Sequence, residues 1–174
     1  MSGLGLITDF LNTVDERSFS RRGTVHTGGE RLTSPGALAD WLAEHGLADR
    51  TDPVGRADLA AAVALRTALR RSLTGDDDGA AALAEHPLAL LPDGSGGLRL
   101  AARSGRLWLD AIVETVAVAA ARGDWGRVKL CAAPDCRWAF HDTSRSGRGR
   151  WCDMNVCGNR HKTRAYRRRH QRAS

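Results

Sequence analysis

A chain of 174 residues, 42% of them hydrophobic and with a net charge of +6, can bury one ordinary core plus a small appendage, which excludes a disordered polyelectrolyte. No stretch reaches the roughly eighteen uncharged apolar residues of a membrane helix, and MSGLGLITDFLNTV lacks the basic-then-apolar layout of a signal peptide, so a cytoplasmic protein without membrane contact is expected. The charge is segregated: residues 1–126 carry 13 Lys and Arg against 17 Asp and Glu (−4), whereas residues 127–174 carry 13 against 3 (+10), the signature of a basic module whose partners are nucleic acid or another anionic surface.

In chain order, Leu4, Ile7, Phe10, Leu11 and Val14 recur at helical spacing and predict a short amphipathic helix ending near Asp15. Residues 20–31, SRRGTVHTGGER, have no period and read as a loop. In TSPGALADWLAEHGL, Ser34 is placed as N-cap, Pro35 as first helical residue and Gly46 as the stop. From Asp52 to Thr74, Leu59, Val63, Leu65, Leu69 and Leu73 define one side of a long helix, with Arg66, Arg70 and Arg71 expected on the outside. An acidic loop at Asp76 to Asp78 precedes a short helical run halted by Pro87, and LALL and LRLAA flank PDGSGG as a β-hairpin. Ser104 is expected to start the core helix, whose Leu107, Trp108, Ile112, Val113, Val116, Val118 and Ala119 to Ala121 make a broad apolar surface ending at Gly123. His26, His45 and His86 read as solvent-exposed side chains. A mostly helical domain with one β-hairpin, residues 1–126, is the result.

All four cysteines, Cys131, Cys136, Cys152 and Cys157, lie in the basic part in the pattern C-x4-C-x15-C-x4-C. Two short knuckles joined by a longer excursion suit one structural Zn2+. A disulfide framework belongs instead to small secreted chains. Val128 to Leu130 would deliver Cys131, Pro134 and Asp135 turn the first knuckle, RWAFHD reads as a strand, TSRSGRGR as a hairpin tip, and Trp151 as packing beside the metal. Cys157 then opens a basic helix, giving residues 127–174 a treble-clef-like, four-cysteine zinc module and the whole chain an α+β class.

Four thiolates and one Zn2+ together carry −2, which leaves this module at +8. The cations sit at the predicted hairpin tip (Arg145, Arg148, Arg150) and on the terminal helix, where Arg160, Arg164, Arg167 and Arg168 share one face and Lys162, Arg169 and Arg172 flank it. Arginine outnumbers lysine 11 to 2 here, favouring bidentate phosphate and guanine contacts over a merely solvated face. Asn159 either braces the knuckle or reads a base edge.

The stretch CAAPDCRWAFHDTSRSGRGRWCDMNVCGNRHKTRAYRRRH resembles the CGNR zinc finger, whose tetrapeptide is here Cys157, Gly158, Asn159 and Arg160. Upstream, LITDFLNTV, LTSPGALADWLAEHGL and ALRTALRRSL resemble the ABATE domain that precedes this finger in bacterial proteins described as stress-induced transcriptional regulators. The resemblance implies the four cysteines as ligands, DNA binding by Arg160 and the helix it opens, and sensing by the first domain. Asp9, Asn12 and Thr13, in DFLNT, are candidates to line an effector pocket there; alternatively Asp9 and Asn12 are i, i+3 surface neighbours. RNA association is the alternative allowed by the same charges. A treble-clef nuclease using His141, Asp142, Asn159 and His161 is a weaker rival, so a non-enzyme is expected; monomer and homodimer both stay open.

Overall fold

The computed structural model describes residues 3–21 and 23–171. Helix α1 (Gly3–Leu11) is followed by β1 (Val14–Asp15), β2 (Phe19–Arg21), β3 (Thr24–His26) and β4 (Gly29–Glu30), then α2 (Pro35–Glu44), α3 (Arg56–Ser72) and α4 (Asp77–Leu83). Strands β5 (Leu88–Pro92) and β6 (Leu98–Ala102) precede α5 (Leu107–Ala121), a 3-10 turn (Asp124–Arg127), β7 (Val128–Leu130), β8 (Ala139–His141), a π turn (Met154–Gly158) and α6 (Asn159–Gln171).

Local chemistry explains most boundaries. Ser34 caps α2 by accepting from the Ala37 amide at 3.1 Å, with Pro35 at the first helical position. Asp58 closes the start of α3, accepting from the Gly55 amide at 2.8 Å and from Arg106 Nε at 2.7 Å. Asp76 caps α4 one turn earlier than expected, so the acidic stretch is helix rather than loop. The predicted hairpin forms, with Leu88 opposite Ala102 and Pro92 opposite Leu98. Helix α5 starts at Leu107, not Ser104, because the Ser104 amide folds back onto Asp110 at 2.8 Å; it ends at Ala121, and the chain turns away at Gly123, whose φ of 78° is the left-handed conformation glycine adopts freely.

The supposed loop after α1 is structured: β2 pairs β3 and β1 pairs β4, both antiparallel. Strands of two or three residues are too short to show an alternating pattern. The core gathers Ile7, Phe10 and Leu11 of α1, Leu38, Trp41 and Leu42 of α2, Leu65 and Leu69 of α3, and Trp108, Leu109, Ile112 and Val113 of α5. Val128 of β7 and Ala139 of β8 belong to the same core. Three expectations are corrected. Arg66 and Arg70 are buried, not outside. Leu107 and Val118 of α5 are exposed. The His45 side chain is buried, stacked on Trp41 with ring centroids 4.1 Å apart and bonded through Nδ1 to the Trp41 carbonyl.

Candidate metal centre and nucleic-acid interface

Strands β7 and β8 pair directly, Leu130 opposite Ala139, so the chain between them folds into a knuckle carrying Cys131 and Cys136. Arg137 leaves that knuckle at φ 54°, a left-handed conformation that costs a non-glycine residue free energy and holds the turn shut. The second pair comes from Cys152 and from Cys157 in the π turn, whose start Asp153 caps by accepting from the amides of Asn155 and Val156. A Cβ on Gly158 would run into Met154 Sδ and the Trp151 ring, so glycine here permits close packing at the site.

The four sulfurs lie within 4.8 Å of one another, with Cys136 to Cys152 at 3.6 Å and Cys152 to Cys157 at 3.8 Å. Zn–S bonds of about 2.3 Å in a tetrahedron put sulfurs about 3.8 Å apart, so the donor set fits one Zn2+ as a closed structural site. The protons of this quartet are unequal. S–H donation from Cys136 and Cys152 holds Cys131 far below the ordinary thiol range, burial pushes Cys157 up to about 12, and donation to Cys131 pushes Cys152 up. Metal binding therefore displaces protons.

The excursion between Asp142 and Trp151 is not a hairpin tip. Strand β8 ends at His141, and residues 143–150 form a loop pinned by Asp142, which takes Lys129 Nζ at 2.6 Å and the amides of Ser144 and Gly149 at 3.0 and 2.7 Å. Those bonds hold the Asp142 carboxyl well below the usual range, Lys129 contributing most. Lys129 Nζ also reaches the carbonyls of Gly147 and Gly149. Pinning leaves Arg145, Arg148 and Arg150 exposed. Arg150 stacks over Trp151 at 5.3 Å, and Trp151 meets His161 of α6 at 4.8 Å, so the end of this loop touches the helix's first turn.

Helix α6 packs chiefly on the π turn before it. Asp135 of the knuckle pairs with Arg160 and, at 2.8 Å, with Arg164. Burial would raise the Asp135 carboxyl, but hydrogen bonds from Arg164 and Arg160 outweigh it and lower it. Arg160 also lies 3.7 Å from the Phe19 ring centroid and 3.9 Å from Cys157 Sγ. Its guanidinium thus braces the metal site. Asn159 is exposed and donates at 3.3 Å to the Asn155 carbonyl. Lys162 and Arg167 are exposed, with no ion-pair partner among the described residues. Arg168 and Arg169 lie on the helix with side chains outside the described residues, as does all of Arg172.

Each of the DFLNT candidates has a partner within the chain. Asp9 faces His45 Nε2 at 3.8 Å. Asn12 bonds Ala139 of β8 twice, donating to its carbonyl at 2.9 Å and accepting from its amide at 2.8 Å. Buried Thr13 donates to the Phe10 carbonyl and accepts from Arg66 at 2.9 Å. Beyond them a strap follows the knuckle. The Ser18 amide donates to the Asp135 carbonyl at 3.0 Å, Arg17 stacks 4.1 Å over Trp138, and Phe19 joins Cys131, Cys136 and Cys157 in one buried cluster. Phe19 carried no recognisable signal, since its partners are distant in sequence, and the same distance hid the pairing of Asp135, expected only as a turn residue, with Arg160 and Arg164.

Two family profiles match this chain. One, ABATE, described as "Putative stress-induced transcription regulator", matches residues 4–134; the other, the CGNR zinc finger, matches residues 127–170. Their overlap is β7 and the first half of the knuckle. No curated protein matches the chain.

Proposed function

From a chain that belongs to the ABATE family and ends in a CGNR zinc finger, we infer a DNA-binding regulator rather than an enzyme. Residues 127–174 bind DNA and residues 1–126 form the regulatory part. The observation that carries this reading is α6: thirteen residues without a carboxylate, anchored at one end by the cysteine quartet and exposed along most of its length. Such a helix is not a core element. Its like charges repel at i, i+4, and phosphates relieve that repulsion.

Lys162, Arg164 and Arg167 are assigned to phosphate contact, joined by Arg145, Arg148 and Arg150 from the pinned loop. Arg160 positions the helix, and Asn159, at its exposed start, is the candidate for a base edge. Asp135 competes with phosphate for Arg164, so nonspecific attraction is moderated. The nuclease alternative is disfavoured because Asp142 is fully engaged with Lys129 and two amides. Regulation would travel along the strap, where a small-molecule effector acting on residues 1–126 would shift Phe19 against Arg160.

Fluorescence anisotropy with labelled duplex DNA over a salt series, competed by single strands and structured RNA, tests this. Expected is salt-dependent binding in which duplex DNA competes best, and random-oligonucleotide selection then gives the operator. Salt-insensitive or absent binding sinks the nucleic-acid reading, and preferential competition by RNA reassigns it to RNA.

A further inference from the structure

The β5–β6 hairpin has an outer face that a lone molecule does not explain. Directly opposed residues share a face, so Leu88, Leu90 and Pro92 stand with Ala102, Leu100 and Leu98 on one side, and Ala89, Leu91, Arg99 and Ala101 on the other. The two sides do not divide into one wet and one dry: Ala101, 2% exposed, lies on the second side with exposed Arg99, while on the first Ala102 packs against the core and Leu100 lines a groove beside α5. On the first, every residue is apolar, yet Leu88 is 40%, Leu90 65% and Leu98 68% exposed. A sheet with one wet face carries polar residues there. Helix α5 extends the patch with Val118, 40% exposed.

Beside these protruding leucines lies a groove of about 860 Å³ between β6, α1 and α5, lined by Leu98, Leu100, Ala111, Val118, Arg122 and Asp124 among others. Four charged residues line this groove: Arg99 pairs with Glu114 at 3.6 Å, whereas Arg122, just past α5, and Asp124, in the 3-10 turn, have no ion-pair partner among the described residues. The free edge of β5 has no further strand beyond it among the described residues.

We propose that this face is the contact surface for a second copy of the chain, in a two-fold dimer joined through the β5–β6 hairpins. The occupant follows from self-complementarity. One element supplies both a protrusion (Leu90, Leu98) and a hollow, and one rim supplies both a cation and an anion, so a two-fold axis lets each meet its opposite: leucine into groove, Arg122 toward Asp124. A nucleic acid does not fit a rim whose charges balance, and a small ligand in the hollow would leave Leu90 and Leu88 uncovered. Apolar strand edges are also what sheet-extending dimers pair. The inference does not depend on DNA binding; a dimer would stand even if that reading failed.

Sedimentation velocity of the zinc-loaded full chain across the micromolar range tests it. The expected result is a concentration-dependent dimer that Leu90→Glu with Leu98→Glu weakens at least about tenfold, with zinc content and circular dichroism unchanged. If that variant does not fold, Arg122→Asp should weaken the dimer and adding Asp124→Arg should restore it. In the unmodified protein, amide exchange over residues 88–92 should slow as concentration rises while α6 stays unaffected. A monomer at every concentration, including one whose groove takes up the apolar dye ANS, overturns the proposal. So does a dimer indifferent to both sets of substitutions.

Discussion

Arginines on α3 and on α6 have opposite fates. On α3, Arg66 is enclosed between Thr13 and a two-pronged Glu30, at 2.8 and 2.5 Å, while Arg70 reaches the carbonyls of Leu11 and Arg137 and the Glu16 carboxylate. Burial pulls Arg70 below the usual arginine value, with Glu16 opposing it. On α6, beyond the Asp135 clamp, Lys162 and Arg167 face solvent in a stretch with no acid after Asp153. The same residue type is structural in one helix and available in the other. What separates them is the supply of carboxylates and carbonyls nearby, because a buried guanidinium needs partners and an exposed one does not.

The comparison can be broken most severely at the metal. Cys157→Ser should lower bound zinc from one ion per chain to none and release α6, at a cost of about 10 kcal/mol of metal-coupled folding, read by metal analysis and by Trp138 and Trp151 fluorescence. The contacts of Arg66 on α3 to Thr13 and Glu30 should survive, while the Arg70 bond to the Arg137 carbonyl of the knuckle should be lost. Arg66→Ala comes next, at about 3 kcal/mol by chemical denaturation, since it strands Glu30 and Thr13; lysine should not rescue it, lacking the fork.

Acid sharpens the same point. Bonds from Arg66 and the Leu32 amide outweigh burial and hold Glu30 below its ordinary 4.5. Its stabilising contribution is therefore present above pH 4.5 and is lost as pH falls below that value. Arg66→Ala should flatten this acid limb in a denaturation series.

Asn12→Ala should cost about 1–2 kcal/mol by removing the paired bonds to Ala139, detectable as faster amide exchange over residues 139–141. Smallest in stability is α6: Lys162→Ala or Arg167→Ala should stay within about 0.5 kcal/mol. Each should nonetheless lower DNA affinity and reduce the salt slope by about 1, in direct contrast to Arg66.

The zinc site was legible because a metal dictates ligand type and spacing locally. Caps such as Ser34 and the β5–β6 turn were legible for the same reason. The burial of Arg66 and Arg70 was not, because helical periodicity sorts residues by polarity, whereas these two face inward to meet Thr13, Glu30 and Glu16 from elsewhere in the chain. Nor could spacing show that Arg160 braces the knuckle through Asp135 and Phe19, or that Asp142 and Lys129 gather residues 143–150 into a pinned loop. DFLNT stood out as a motif, but spacing could not show that Asn12 ties the end of α1 to β8.

That tie has a consequence for the order of events during folding. Asn12 and Ala139 are 127 positions apart, and Phe19 meets Arg160, further still along the chain. Closing so long a loop carries an entropic cost that local helices do not incur. Helix α1 finds its apolar partners on α2, α3 and α5 without the finger, whereas Asn12 and Phe19 find theirs only once the knuckle and α6 are in place, so the seam between the two modules closes after the helical core and together with the capture of zinc.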